Sequence, residues 1–248
     1  MRLTRLFVPG ALGAGATVEL PAETAAHIVK VLRARSGDAL ILFNGEGAEY
    51  LGAIDSVRGA RVSVLLSEAR SAARESPLSS VLVQAIPRGD RMDFVVQKAT
   101  ELGVTRIVPV LSARSVVRLS EHQYESRLEH WRGVAISACE QCGRNRLPRI
   151  DAPLQLLEHL VAPSGCSTRW VLDPECAPGA ALTAPQGAVE ILIGPEGGFA
   201  PQELDAMRLA GLAGLRLGPR ILRTETAALA ALTWLQTQYG DMSPIDRG

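Results

Sequence analysis

No apolar run in the chain approaches the roughly 20 residues that a membrane-spanning helix requires. Arg2, Thr4 and Arg5 interrupt any signal-like stretch after Met1, so a cytoplasmic protein is the expectation. Net charge is absent too: 26 basic residues balance 26 acidic ones, which by itself does not suggest a nucleic-acid partner. Lysine is nearly missing, since every basic residue except Lys30 and Lys98 is arginine. That bias fits a GC-rich coding sequence; it also fits bidentate phosphate contacts and base stacking, so the position of the arginines matters more than their number. The dinucleotide fingerprint GxGxxG and the P-loop GxxxxGK[ST] do not occur, and neither do internal repeats or low-complexity tracts. The four cysteines include one CxxC, Cys139 to Cys142, but no second pair and no histidine pair stands at metal-ligand spacing. Leu128, Trp131, Ala135 and Ala138 carry a helical stripe into Cys139, so this CxxC closes a helix, whereas a thioredoxin-like motif opens one. The thiols read as small packing residues, and no metal is expected.

What is present divides the chain in two. A length of 248 residues, 47% hydrophobic and 21% charged, suits a soluble protein of one large or two modest domains. Leu3 to Val8, Thr17 to Leu20, Ala39 to Phe43, Glu49 to Ile54 and Arg61 to Leu66 read as short strands separated by Gly, Pro and Asn turns. A single helix after Pro21 carries Ala25, Ile28, Val29 and Leu32 on one face. This pattern predicts a small β-barrel over residues 1–70, followed by a linker over 71–78. From residue 79 to 248 the rhythm becomes strand, helix, strand. Strands are expected at Val81 to Ile86, Arg106 to Leu111, Trp170 to Leu172, Val189 to Ile193 and Leu215 to Leu217. Helices are expected from an Asp90 cap to Gly103, at Glu121 to Cys142, at Pro201 to Ala210 and at Thr226 to Tyr239. Alternation of this kind predicts an α/β domain, a mostly parallel sheet with helices on both faces. The stretch from Asp151 to Thr168 carries no usable motif.

Two glycine-centred turns leave apolar strands and enter helices: Ile193-Gly194-Pro195-Glu196-Gly197-Gly198-Phe199, and Leu217-Gly218-Pro219-Arg220-Ile221-Leu222-Arg223-Thr224-Glu225-Thr226. Glycine permits positive φ and close approach of backbone to a ligand, and ligands on open α/β sheets bind at the carboxyl ends of strands. Read alone, the first turn is an ordinary strand-to-helix connection with Glu196 near a helix start; the pair can line one pocket.

With Ala138-Cys139-Glu140-Gln141-Cys142-Gly143-Arg144, these segments resemble the RsmE family of small-subunit ribosomal RNA uridine N3 methyltransferases, of the SPOUT superfamily. Arg5 to Val8, His27 to Arg33 and Gly89 to Gly103 are also similar to family segments. The resemblance implies a PUA-like N-terminal barrel that binds RNA and a C-terminal domain with a deep trefoil knot. It also implies S-adenosylmethionine held by three loops: Leu172-Asp173-Pro174; Gly194, Pro195, Glu196, Gly197 and Gly198; and Leu217, Gly218, Pro219, Ile221, Leu222, Arg223 and Thr226. A homodimer sharing its active site is implied as well, acting on 16S ribosomal RNA in the small subunit. A SPOUT enzyme with another RNA target and a non-catalytic RNA-binding module are the alternatives.

Uridine N3 becomes nucleophilic only after losing its imide proton, so such a site needs a proton acceptor and cationic or N–H donors for the developing oxyanion. Glu140, Glu196 and Glu225 are candidate acceptors, and Arg144 and Arg91 candidate stabilisers or phosphate clamps. For RNA contacts the candidates are Arg2, Arg5, Lys30, Arg33 and Arg35 around the first helix, with Arg88 and Arg91 in the second domain. His27 is expected to be packed or hydrogen-bonded.

Overall fold

The computed structural model describes residues 3–115, 121–176 and 184–242; Arg2, an expected RNA contact, lies outside them. The chain separates into two units, one of Met1–Glu75 with Cys139–Leu147 and one of Ser76–Ala138 with Pro148–Gly248.

In the first unit five strands form one sheet: β1 (Thr4–Phe7), β2 (Thr17–Glu19), β3 (Ala39–Phe43), β4 (Ala48–Arg58) and β5 (Arg61–Ser71), in the order β1-β3-β4-β5-β2. The β1–β3 pair is parallel and the others antiparallel. Alternation along the strands turns Leu40, Leu42, Ile54, Val62, Val64 and Leu66 inward against Ala25 and Ile28 of helix α1 (Ala22–Lys30). On the other face of this sheet from Leu6, Leu42 and Tyr50 stand two charged residues, Arg5 on β1 and Glu49 on β4, and both are buried. They form an ion pair. Arg5 also donates to Asn145 Oδ1 and to the Arg144 carbonyl at 3.2 Å, so a segment from the middle of the sequence is bonded into the N-terminal sheet.

The expected linker does not hold as a free connection. Strand β5 runs to Ser71, and the Glu75 carboxylate accepts from Arg144 Nη2 at 2.8 Å and from the backbone N–H groups of Asn145 and Arg146, each at 3.0 Å. The charged residues in this stretch are partners of the 139–147 segment, which a composition-based linker assignment overlooks.

The second unit is built on a seven-stranded sheet. Its strands are β6 (Ser80–Ala85), β7 (Arg106–Leu111), β8 (Arg149–Ile150), β9 (Leu154–Gln155), β10 (Thr168–Leu172), β11 (Val189–Ile193) and β12 (Ala213–Leu215), in the order β12-β10-β11-β6-β7-β8, with β9 also on β7. Every recorded pairing is parallel. A parallel sheet is covered on both faces, and each residue of β6 and β11 is indeed buried. Leu82, Ile107, Trp170 and Ile191 face α2 (Arg91–Glu101), α3 (Glu121–Cys142) and α6 (Thr224–Tyr239). Val81, Val83, Val108 and Leu192 face α4 (Leu156–Val161) and α5 (Pro201–Leu209).

Local departures from expectation have simple causes. Helix α4 falls in the stretch that offered no motif; Leu156, His159 and Leu160 are its buried face, too short a run for a clear period. Asp90 precedes α2 without a side-chain capping bond. Ala200 has no acceptor to cap α5, and Glu203 compensates by accepting from the Ala200 N–H at 2.8 Å and the Ala113 N–H at 2.7 Å. Strand β12 ends at Leu215, where it pairs with Leu172, so Arg216 and Leu217 already belong to the following loop. No helix is long and apolar enough to cross a membrane among the described residues.

Buried carboxylates make this fold acid-sensitive. Burial alone would raise the Glu49 and Glu190 carboxyls, but Arg5 and Asn145 around the first, and His159 and Arg169 around the second, more than offset it and hold both below the ordinary value of 4.5. A depressed carboxyl contributes its stabilisation above the unfolded value and loses it as pH falls through the folded one. Tm followed by circular dichroism is therefore expected to hold near neutrality and fall below pH about 4.5; a profile flat to pH about 3 contradicts the assignment. Glu190→Gln is expected to cost about 3–5 kcal/mol in urea unfolding, because Arg169 and His159 stay buried without their anion.

Candidate functional site

Strands β10, β11 and β12 lie side by side and end at one level: Leu172 pairs with Leu215, and Ile193 with Gln84 of β6. The loops that leave these ends are the three segments expected to hold a cofactor. They enclose a cavity of about 590 Å³, within the usual range for a small-molecule site. Leu172, Asp173 and Pro174 form one wall, Gly194 to Gly198 the second, and Leu217, Gly218, Ile221, Leu222 and Arg223 the third. Ile193, Phe199, Pro201, Leu204, Leu215 and Ala227 contribute apolar surface, and Arg114, Glu175, Arg216, Arg220 and Thr224 complete the lining. Pro219 and Thr226, also expected in the site, do not line it. Both are exposed, and Thr226 is two residues into α6, on a different side of the helix from Thr224.

The loops are tied by one short relay that sequence reasoning missed. Thr224 donates its hydroxyl to the Gly194 carbonyl at 2.6 Å and accepts from Gln84 Nε2 at 2.9 Å. Gln84 is fully buried. A lone amide inside the apolar run Val81 to Ile86 was the available signal, because a buried polar group must find a partner. Around this relay the Phe199 ring lies over Gly194, where a Cβ would come within 3.1 Å of it. Gly198 and Gly218 adopt φ of +66° and +72°, and a Cβ on either meets nothing within 4 Å, which leaves their backbones open to a ligand.

Electrostatics separate the three candidate proton acceptors. Glu196 lines the cavity and accepts from the Arg88 N–H at 3.0 Å and from Arg91 at 2.6 Å. Desolvation pushes its carboxyl up, but the Arg88 N–H and Arg91 win, and it lies below the ordinary range. Glu225 lies 4.0 Å from Arg91, and its Oε2 is buried without a hydrogen-bond partner among the described residues. Glu140 belongs to the first unit, where it accepts from the Phe7 N–H at 2.9 Å and burial raises its carboxyl. Of the three, only Glu196 lines the cavity; Glu225 follows the lining residue Thr224, and Glu140 is on the first unit.

The expected cationic residues are likewise sorted by burial. Arg5 and Arg144 are 6% and 5% exposed and bonded within the first unit, so neither offers a free surface to a phosphate. The resemblance pointed to their segments, but their roles come from long-range partners that sequence spacing does not reveal. Lys30, Arg33 and Arg35 are exposed around the end of α1, with Arg33 at φ +51°. His27, expected to be packed, is exposed beside them. Arg88 is exposed and Arg91 half-buried near Glu196. Cys139 and Cys142 are free thiols, and burial pushes Cys139 up to about 12, an unreactive thiol. No metal-binding cluster occurs among the described residues.

Comparison with known proteins agrees with this geometry. A model of the RNA methyltransferase domain matches residues 74–236, and one of the RNA methyltransferase PUA domain matches residues 20–64. The chain is 33% identical to the ribosomal RNA small subunit methyltransferase E of Buchnera aphidicola, over 98% of this chain and 99% of that one. It is also 33% identical to the Bacillus subtilis protein of that name, over 90% of each. Among solved structures, ribosomal RNA small subunit methyltransferase E of Neisseria gonorrhoeae bound to S-adenosylmethionine superposes with a TM-score of 0.90 at 38% identity, covering 98% of this chain and all of the other. A Legionella pneumophila protein solved with the same cofactor superposes with a TM-score of 0.93 at 37% identity, covering 98% and 100%. With its parallel-sheet cavity and its N-terminal sheet each matched by a family model, the chain belongs to the RNA methyltransferase family, in the group of ribosomal RNA small subunit methyltransferase E.

Proposed function

We propose that this protein transfers a methyl group from S-adenosylmethionine to N3 of a uridine in small-subunit (16S) ribosomal RNA, as a homodimer whose C-terminal domain is a SPOUT-type trefoil knot and whose N-terminal domain is a PUA-like barrel. The observation that carries the reading is the cavity closed by the loops after β10, β11 and β12, in a chain whose relatives are solved with that cofactor bound. The residues present fit it. Leucine and isoleucine side chains and glycine-rich backbone suit an adenine and ribose, and Arg223 suits the carboxylate of the methionine part. Lys30, Arg33 and Arg35 supply exposed cations for the RNA in the first unit.

Bound in the cavity, the cofactor supplies an electrophilic methyl group on sulfur. The chain's part is to orient uridine N3 and to remove its proton. Glu196, engaged by Arg88 and Arg91 and held at a low pKa, orders the cavity loop and is a poor base. Glu225 keeps one buried oxygen without a hydrogen-bond partner among the described residues and, less tightly engaged by Arg91 than Glu196 is, receives the proton. Glu140 and Arg144 serve the first unit's internal network and take no part in the transfer.

The reading is tested by incubating purified protein with assembled small subunits lacking the modification and labelled cofactor. The expected product is 3-methyluridine, and persistent absence of label in competent subunits contradicts it. Glu225→Gln is expected to lower kcat by about 100-fold while cofactor Kd by calorimetry stays within twofold; wild-type kcat would remove Glu225 from the mechanism. Thr224→Val takes the hydroxyl donor from the Gly194 carbonyl and leaves one N–H of the Gln84 amide without its acceptor, at about 1–3 kcal/mol. Cofactor Kd is then expected to weaken by at least about fivefold, and Thr224→Ser to restore it.

A further inference from the structure

Three arginines line the cavity from two loops: Arg114 after β7, and Arg216 and Arg220 in the loop between β12 and α6. All are exposed. Arg114 Nη1 donates to the Gly197 carbonyl at 2.9 Å and Arg216 Nε to the Gly218 carbonyl at 3.3 Å, so each spends one N–H on bracing a loop. Arg220 makes no hydrogen bond among the described residues. None of the three has a carboxylate partner there, although exposed arginines elsewhere do, as in Arg61 with Glu19 and Arg208 with Asp205. The lining carries three acidic groups, Asp173, Glu175 and Glu196, against four arginines, and Glu196 is already paired with Arg91 from outside the lining. The chain as a whole is neutral, yet this lining is cationic.

We infer that Arg114, Arg216 and Arg220 form a clamp for RNA backbone phosphates flanking the target nucleotide, a site separate from the cations of the first unit. The inference rests on the reading of the protein as an RNA methyltransferase. A phosphate oxygen and the carboxylate of the cofactor present the same anionic chemistry to a guanidinium. One carboxylate is satisfied by one bidentate arginine, and Arg223, at the start of α6, already lines the cavity. Three further cations with no carboxylate partner among the described residues, one on the loop after β7 and two on the loop after β12, exceed what a single carboxylate needs and suit a chain of phosphates.

The test uses full-length protein, small subunits as substrate and a single-stranded RNA carrying the target sequence for equilibrium binding. Arg220→Ala, whose side chain braces nothing, is expected to raise KM for the subunit about tenfold. The slope of log K against log salt should become shallower by about 0.7, the value of one lost single-strand phosphate contact, with cofactor Kd within twofold of wild type. Arg114→Gln, which removes the charge but keeps an N–H donor for the Gly197 carbonyl, is expected to flatten the slope further when combined with Arg220→Ala. Arg208→Ala, an exposed cation on α5 outside the cavity, serves as the control and should match wild type. The clamp is overturned if Arg220→Ala keeps wild-type KM and salt slope while the wild type methylates normally. It is equally overturned if the variant weakens cofactor binding without RNA and leaves the salt slope intact, which assigns these arginines to the cofactor carboxylate. A wild type that binds the cofactor but methylates no RNA indicts the functional reading instead.

Discussion

The hydroxyl of Thr224 bonded to the carbonyl of Gly194 is the contact on which the cavity depends. These residues are 30 positions apart in sequence, and each sits where a glycine-rich turn meets a regular element. Glycine gives the turns the freedom to pass close to a ligand, but the same freedom leaves them without a defined shape. The hydroxyl, oriented in turn by the buried Gln84 amide, fixes the start of α6 against the end of β11. Phe199 over Gly194 and Arg114 on the Gly197 carbonyl restrain the same turn from other sides. Mobile backbone is thereby held ready by side chains that need never touch the ligand, which lowers the ordering cost of binding.

The first unit applies the same rule with charge. Arg5, Glu49, Asn145, Arg144 and Glu75 form a buried ionic network that joins Cys139–Leu147 to a sheet more than 60 residues upstream in sequence. Buried ions need partners on every side, so the network specifies one arrangement even where it adds little net stability. It holds Arg5 and Arg144 inside the first unit, and Glu140 is bonded there to the Phe7 N–H. A motif can mark a packing junction as readily as a reacting group.

Where the fold was legible in the sequence, regular periodicity carried it. The runs Val81 to Ile86 and Val189 to Ile193 gave buried parallel strands, and the apolar stripe through Met92, Val95 and Ala99 gave α2. A mostly parallel sheet with helices on both faces followed from the alternation of strands and helices, and the cavity loops from glycine turns at strand ends. What escaped was nonlocal. Nothing near Arg5 in sequence announces Glu49, and nothing near Thr224 announces Gln84, because side-chain partners are chosen by the fold. The readable trace of each is a polar residue in an apolar strand, as at Arg5, Glu49, Gln84 and Glu190, and every one of these is buried and bonded. The resemblance implies Thr226, whereas α6 begins at Thr224 and it is Thr224 that lines the cavity.

The central claim is that cavity, relay and cationic lining together serve methylation of one uridine nitrogen. The most direct measurement is mass spectrometry of nucleosides from small-subunit ribosomal RNA of cells lacking this gene, beside cells carrying it. The account predicts that 3-methyluridine disappears from that RNA when the gene is removed and returns when it is restored. Unchanged 3-methyluridine in the deletion strain would contradict it.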